Sequence, residues 1–228
     1  MVELFDAQAV LTHLADNTLT YGGKAGSERR YSKVSLGQAS DIGKITATIS
    51  EAFSLDPAWG WAFPDQLVRS QYWKFIVEAA TRYPFVFKTT GFEAASVWIP
   101  PGGSELMPEI SDNIDAVLRE LAKDRAEQVG AFLHRFESHH PQTEPHFYLA
   151  MVGIANSARG LGLGMSLLRH NLALIDKLYG LPVYLESSNQ MNNRKYESVG
   201  FQRIGEFRTL DDREVVTCMW RPSSPKSQ

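Results

Sequence analysis

The chain has 228 residues, with 23 basic and 26 acidic side chains and a formal net charge of −3. This length suits one domain of generous size with additions, and the hydrophobic content of 43% is ordinary for a globular enzyme. The charges are interspersed, and no apolar run approaches the ~20 residues of a membrane span, so we expect neither a nucleic-acid nor a membrane partner.

Two features bear on the compartment. The N-terminal residues lack a basic segment followed by an apolar core, so no signal peptide is visible. Cys218 is the only cysteine and cannot form an internal disulfide. We therefore expect a cytoplasmic protein.

The first 30 residues are predicted to lie outside the main domain. Residues 3–16 place apolar side chains at roughly helical spacing, which indicates a short helix that docks on the body or on a second subunit. A homodimer is thus one alternative. Residues 17–30 are rich in Gly, Ser and charge and are predicted to be a linker. The domain would span 31–221, followed by a frayed tail over 222–228.

Residues 31–103 alternate between strand and helix signals. A strand is predicted at 34–36, followed by an amphipathic helix with Ile45 and Ile49 on its apolar face. A second amphipathic helix is predicted over about 66–82. Residues 84–99 contain two apolar runs joined by a turn, which is typical of a hairpin.

An aromatic, turn-rich segment at 54–65 contains Trp59, Trp61 and Phe63. Core packing is the simpler interpretation of these side chains. The alternative is that at least one of them forms the wall of an acceptor site, because loops carry binding residues more often than helix interiors do.

Residues 104–140 are predicted to be a helical insertion: 104–138 are polar with periodic Leu and Ile, which predicts one long helix or two shorter ones with Gly130 as the break. His139 and His140 start the loop that follows. They lack a cysteine or carboxylate at metal-ligand spacing, so we expect no metal site.

The most informative stretch is a predicted buried strand over 147–154, a glycine-rich turn over 159–164 and a helix that starts at Met165. Glycines admit backbone conformations closed to other residues and leave space in front of the chain. Several amides can then converge where a helix begins with its positive dipole end. The turn therefore predicts a phosphate site, with a plain structural turn as the alternative.

The spacing of the glycines separates three kinds of phosphate loop. A Walker loop needs Lys after its last glycine, but Gly164 is followed by Met165. The dinucleotide pattern G-x-G-x-x-G would need glycine where Met165 or Leu167 stands. The pattern R-x-x-G-x-G fits, with Arg159, Gly162 and Gly164. This turn resembles the coenzyme A pyrophosphate loop of the GNAT superfamily of acyl-CoA-dependent N-acetyltransferases.

A second motif follows in the order that this resemblance requires. A strand at 183–187 leads into an Asn-rich turn, then Tyr196 on a short helix, then a Gly-Phe pair that starts another strand. The last strand is predicted at 214–220. The match is closest to the puromycin N-acetyltransferase kind, which shares the H-x-Y-L entry at His146–Leu149.

The resemblance implies an α+β fold with a mixed, mostly antiparallel sheet of about six or seven strands flanked by helices. Two parallel strands, 147–154 and 183–187, would splay apart and hold acetyl-CoA in the gap. A lysine or arginine common in the family is replaced by Leu161, so one phosphate contact is missing. The implied contacts with coenzyme A are Val152, Gly153, Ile154, Arg159, Gly160, Leu161, Gly162, Leu163, Gly164, Met165, Asn189, Asn192 and Tyr196.

The resemblance also implies direct acetyl transfer to an amine. Tyr196 matches the position of the general acid near the sulfur. His146 and Tyr148 share one face of their strand by alternation, so His146 is a candidate general base and Tyr148 a candidate acceptor-site residue. Glu186, at the tip of the partner strand, is the other candidate base. Each of these side chains could instead be structural.

Three functions stay open from the sequence. The first is acetylation of a small-molecule amine. The second is acetylation of a peptide or protein amine, which an open groove without residues 104–140 packed over it would favour. The third is a catalytically silent module that binds acyl-CoA as a sensor.

Overall fold

A computed structural model describes residues 5–14, 18–22 and 28–223. The strands in these ranges are β1 (Thr18–Gly22), β2 (Arg29–Leu36), β3 (Val86–Thr89), β4 (Ala94–Ile99), β5 (Phe147–Ile154), β6 (Val183–Ser187), β7 (Gln202–Arg208) and β8 (Val215–Arg221). The helices are α1 (Ala7–Leu14), α2 (Ile42–Ala52), α3 (Pro57–Ala62), α4 (Gln66–Ala80), α5 (Pro108–Ser111), α6 (Ile114–Ala122), α7 (Ala126–His139), α8 (Leu163–Leu178) and α9 (Asn193–Glu197).

The strands form one eight-stranded sheet in the order β1-β2-β3-β4-β5-β6-β8-β7. All neighbours are antiparallel except β5 and β6, which are parallel. The predicted mixed, mostly antiparallel sheet flanked by helices is confirmed. The predicted strand number of six or seven is too low, because the segment predicted as a linker contributes β1.

The linker prediction for 17–30 is wrong where the structure describes this segment. Thr18 pairs with Lys33 and Gly22 with Arg29 in an antiparallel ladder. Leu19 and Tyr21 are buried while their neighbours in β1 are exposed, which is the alternation of a half-buried strand. Polar composition concealed this alternation. Residues 17 and 23–27 of the predicted linker lie outside the described residues, as do 224–228 of the predicted tail.

Helix α1 docks on the body of its own chain. It buries Val10 and Leu14, and residues 3, 4, 15 and 16 of the predicted helix lie outside the described residues. Just before α1, the ring of Phe5 packs against those of Phe85, Phe147 and Tyr179, with centroid distances of 5.5, 5.7 and 5.4 Å. These contacts fix the N-terminal segment to the sheet.

The segment 104–140 forms helices α5, α6 and α7, and its main break lies at Lys123–Arg125 rather than at Gly130. Lys123 has a positive φ of 50°, which ends α6. Gly130 lies within α7, where an added Cβ would lie 3.6 Å from the Leu118 side chain of α6. Gly130 is therefore an interior residue of α7 and not a chain break.

Helices α2 and α8 contact β5 from its two sides. An added Cβ at Gly153 would come within 3.0 Å of the Cα of Ile49 in α2. An added Cβ at Gly164 of α8 would lie 2.8 Å from Cδ1 of Ile154, the next residue along β5. Because successive residues of a strand point to opposite faces, the strand is held between these two helices. This fixes the position of the turn that leads from β5 into α8.

Candidate active site

Strands β5 and β6 separate soon after they meet. Their parallel pairing joins Phe147 to Val183 and Tyr148 to Tyr184 and extends no further. At the other end of β5, the Ala155 N–H donates to the Glu93 carbonyl of the β4 side at 2.8 Å. By alternation, the N–H and C=O groups of Val152 and Ile154 face away from β4, into the gap. The predicted splay is thus present, with main-chain groups available to an extended ligand.

The glycine turn has the conformation of an anion site. Gly160 and Gly162 have φ values of 76° and 82°, in the left-handed region that favours glycine. An added Cβ at either would meet no atom within 4 Å, so the space in front of the turn is open. Ser166 N–H bonds back to the Gly162 carbonyl, which leaves the amides of Leu163 to Met165 without acceptors inside the helix. These groups fit a pyrophosphate at the helix N-terminus.

The side chain of Arg159 holds the turn to α2. One of its guanidinium nitrogens lies 2.9 Å from the Ala52 carbonyl and 3.3 Å from the Glu51 carbonyl, at the end of α2. The Glu51 carboxylate in turn accepts the Asn156 N–H at 3.0 Å. The Arg159 amide donates to the Asn156 carbonyl at 3.2 Å and is therefore not free to bind a phosphate. The turn is therefore preorganised by its own chain.

A cavity of about 520 Å³ lies in front of the turn. Of the predicted coenzyme A contacts, those that line it are Val152, Ile154, Arg159, Gly160, Gly162, Leu163, Gly164, Met165, Asn189, Asn192 and Tyr196. Gly153 does not line it, because this residue faces α2. Leu161 does not line it either. Its carbonyl accepts the Gly22 N–H of β1 at 2.8 Å, so a strand missed by the sequence analysis supports the turn.

A second cavity of about 630 Å³ adjoins the first. The residues that line both are Ala52, Val152, Arg159, Asn189, Asn192 and Tyr196. Asn189 accepts the Met191 N–H at 3.0 Å, which shapes the turn between the two cavities. Burial, together with the charge of Asp56, raises the pKa of Tyr196 to about 12. The Tyr196 hydroxyl, where the two cavities meet, is therefore protonated at neutral pH.

The second cavity has an aromatic wall, and the helical segment 104–140 covers it; we call this segment the roof of the cavity. Trp59, Tyr72, Tyr148 and Phe136 line it, together with further residues of 104–140. Phe136 of α7 stacks on Trp59 with a centroid distance of 5.3 Å. The roof is therefore held down by an aromatic contact with α3.

Trp61 and Phe63 do not belong to this wall. Trp61 packs against Phe132 and carries the Arg125 guanidinium 5.0 Å above its ring. Phe63 is buried against Tyr72. The placement of Trp61 and Phe63 in the acceptor wall is therefore corrected to core packing, and Trp59 is the one of the three that lines the cavity.

Four acidic residues line the second cavity: Asp56, Glu105, Glu137 and Glu186. Burial, and then the charges of Glu186 and Glu137, raise the pKa of Glu105 to about 8. Asp56 accepts hydrogen bonds from the Ser188 hydroxyl at 2.7 Å and the Trp59 N–H at 3.1 Å. The sequence analysis had not singled out Asp56, Glu105 or Glu137, since they are far apart in the chain. Together they favour a cationic occupant.

The side chain of Glu186 is 1% exposed, and neither of its carboxylate oxygens has a hydrogen-bond partner among the described residues. Burial, and then the charges of Glu105 and Glu186, raise the pKa of Tyr148. Burial and then the charge of Glu186 likewise raise the pKa of Tyr184. Glu186 is thus a buried carboxylate beside two neutral phenols.

His146 is not placed to act directly on an amine. It does not line the cavity, it is 8% exposed, and its Nδ1 lies 2.6 Å from the Glu144 carbonyl. Burial lowers its pKa below the ordinary value of 6.5. Its Nε2 lies 3.0 Å from Nε2 of His140, which does line the cavity. The candidacy of His146 as a direct base is therefore corrected, and of these two histidines only His140 lines the cavity.

Over 5–14, 18–22 and 28–223, no three His, Cys, Asp or Glu side chains are grouped so that they could hold a metal ion. The helices in the same ranges include none with the length and apolar character needed to cross a bilayer.

The fold matches those of solved acetyltransferases. A protein from Corynebacterium glutamicum described as histone acetyltransferase HPA2 and related acetyltransferase has a TM-score of 0.57 at 21% identity, over 86% of this chain and 99% of that one. A putative arylalkylamine N-acetyltransferase of the mosquito Aedes aegypti has a TM-score of 0.60 at 11% identity, over 90% and 93%. The chain has a GNAT-like acetyltransferase fold.

Comparison of the sequence alone finds a distant relative. An uncharacterized N-acetyltransferase of Schizosaccharomyces pombe is 26% identical over 199 residues, which cover 78% of each chain. No protein-family model matches this chain. The particular resemblance to puromycin N-acetyltransferases stays a prediction, since none of these comparisons bears on it.

Proposed function

We propose that this protein is an N-acetyltransferase that transfers an acetyl group from acetyl-CoA to a primary amine of a small molecule. One observation carries the proposal. An open glycine turn at a helix start and an acidic, aromatic-walled cavity adjoin each other, and Tyr196 lies where they meet. The fold and the relatives named above support an acyltransferase, and a cytoplasmic setting agrees with the single cysteine.

The turn and the gap would hold coenzyme A by main-chain contacts. The amides of Leu163 to Met165 would bind the pyrophosphate at the start of α8, where each favourable dipole contact contributes about 0.3–1 kcal/mol. The main-chain groups of Val152 and Ile154 would pair with the amides of the pantetheine arm as an added strand does. Bound in this way, acetyl-CoA supplies the activated acetyl group at the junction of the two cavities.

The second cavity fits a small cation better than a polypeptide. Its volume of about 630 Å³ falls within the roughly 300–1,000 Å³ typical of small-molecule sites. The roof from 104–140 packs over it through α7, so a peptide would lack an open groove. Acidic residues attract an ammonium group, and the aromatic wall provides apolar contact. These features favour a small amine over a protein acceptor.

The chemistry requires that the bound amine lose a proton before it attacks. For an amine with a pKa of about 10.4, the neutral form at pH 7 costs roughly 4–5 kcal/mol. Tyr196 would donate a hydrogen bond to the departing sulfur. Its raised pKa of about 12 makes it a stable donor, which holds the charge while solvent returns a proton.

The proposal is tested by measuring free-thiol release from acetyl-CoA across a library of small amines and peptides, with calorimetry of coenzyme A binding in parallel. We expect binding of coenzyme A and turnover of small cationic amines in preference to peptides. Binding without turnover of any amine would favour the sensor module. Preference for peptides would favour the protein acetyltransferase.

A further inference from the structure

We infer that His140 is the general base that deprotonates the amine, and that His146 positions it through a hydrogen bond between their rings. This inference rests on the proposed function and names a residue that the sequence motifs did not indicate. His140 follows directly after α7, and its side chain is 28% exposed, so the ring contacts both the cavity and the protein interior.

The ring of His140 is enclosed by other rings. Those of Tyr148 and Tyr184 meet it edge to face, each with a centroid distance of 4.9 Å. The ring of His146 lies 5.0 Å away at an angle of 36°. A side chain held on three sides keeps its reactive nitrogen in one place, as proximity catalysis requires.

The hydrogen bonds determine which nitrogen of His140 is basic. Nδ1 of His146 faces the Glu144 carbonyl, which can only accept, so this nitrogen carries a proton. Burial lowers the pKa of His146, so the ring stays neutral and its Nε2 accepts. Nε2 of His140, 3.0 Å away, must then carry the proton of that bond. The free lone pair of neutral His140 is therefore on Nδ1.

Nδ1 of His140 faces a buried carboxylate. The closest acidic atom is Oε1 of Glu186, 3.7 Å away. Glu105 and Glu137 line the same cavity, and the two tyrosines in ring contact stay neutral. Neither oxygen of Glu186 is accessible, so this carboxylate cannot reach the amine itself. Glu186 instead stabilises the imidazolium that forms when His140 takes a proton.

The step balances in protons and electrons. Nδ1 of His140 takes one proton from the ammonium, which leaves a neutral amine whose lone pair attacks the thioester carbonyl. The carbon–sulfur bond breaks and the sulfur leaves with its electron pair, hydrogen-bonded to Tyr196. The nitrogen loses its second proton to solvent as the amide forms, the sulfur gains one proton from solvent, and the imidazolium returns its proton to solvent, so that one proton is released in each turnover.

The test combines pH–rate profiles with NMR of the free protein. His140→Gln is expected to lower kcat/KM near neutral pH by about 10²–10⁴-fold, with recovery at high pH as the neutral amine becomes abundant. His146→Phe removes the acceptor and is expected to lower kcat and shift the acidic limb. His146→Gln retains an acceptor oxygen and should restore most of the loss. His139→Gln is the matched control, because His139 does not line the cavity.

Nitrogen-15 NMR of the histidine rings gives a readout independent of activity and of whether the variants fold. We expect the neutral ring of His140 to carry its proton on Nε2 and to leave Nδ1 unprotonated. The Nδ1–H tautomer of the neutral ring, or turnover by His140→Gln with an unchanged acidic limb, would overturn the inference. Failure of the wild type to acetylate any amine would instead refute the proposed function.

Discussion

Glu105 offers a test in which stability and function change in opposite directions. Its carboxyl has an ordinary pKa of 4.5 in the unfolded chain and a pKa of about 8 in the folded protein. An acid with a raised pKa destabilises the fold progressively as the pH rises between these two values. The variant Glu105→Gln carries no charge at any pH and therefore removes this pH-dependent penalty.

The magnitude follows from proton linkage. With these two pKa values, ionisation would cost the folded state about 1 kcal/mol at pH 5 and about 3 kcal/mol at pH 7. Residual solvent screening at the cavity wall reduces the difference between these two costs, and we expect the ionisation penalty to grow by about 1–2 kcal/mol from pH 5 to pH 7. For a chain of this size, 1 kcal/mol corresponds to about 2–4 °C in Tm, so the Tm advantage of Glu105→Gln should grow by about 2–8 °C from pH 5 to pH 7.

The assay is thermal unfolding of wild type and variant at both pH values, without ligand. Glu120→Gln makes the same chemical change at an exposed position of α6 and should show no such growth. In turnover assays at pH 9, where the Glu105 carboxyl is ionised, Glu105→Gln should raise KM for a cationic amine by roughly 5–150-fold, because a charge-assisted contact of about 1–3 kcal/mol is lost. An equal Tm difference at both pH values would refute the burial of an ionisable carboxyl in this wall.

Three further substitutions test other parts of the site. Tyr196→Phe should lower kcat by about 10²-fold while the Kd of coenzyme A stays within about twofold, since only the donor to the sulfur is lost; unchanged kcat would remove that role. Gly164→Ala brings a Cβ to 2.8 Å from the Ile154 side chain and should weaken coenzyme A binding several-fold in calorimetry, whereas Gly43→Ala, with nothing within 4 Å, should not. Trp59→Ala should raise KM for the amine and leave the Kd of coenzyme A unchanged, while Trp61→Ala should alter neither; a matching effect of Trp61→Ala would contradict the placement of the wall.

The central part of the fold could be predicted because its signals are local. The predicted strand over 147–154 has the observed bounds of β5, since a long apolar run ended by small polar residues specifies a buried strand. The glycine turn and α8 follow from residue types whose backbone preferences are strong. The parallel pairing and splay of β5 and β6 came from the family resemblance, because no local signal encodes which strands become neighbours.

The acceptor side could not be predicted in the same way. Its wall joins Asp56, Glu105, Glu137 and Glu186 from four distant segments, and only tertiary packing brings them together. The ring contact between His140 and His146 depends on how α7 ends relative to β5, which no spacing rule expresses. The strand β1 was missed because its polar composition is typical of a linker. Its short alternation of buried and exposed residues is evident only once the strand is placed at the edge of the sheet.

The most direct test of the account is a titration of the labelled protein with coenzyme A, followed by calorimetry and by backbone amide NMR. We expect saturable binding at one site, with the largest amide shifts at residues 160–165 and smaller ones at Val152 and Ile154. We also expect Gly43→Ala to leave both readouts unchanged. Absence of binding, or saturable binding with its shifts centred on another surface, would contradict the claim that the glycine turn is a coenzyme A site.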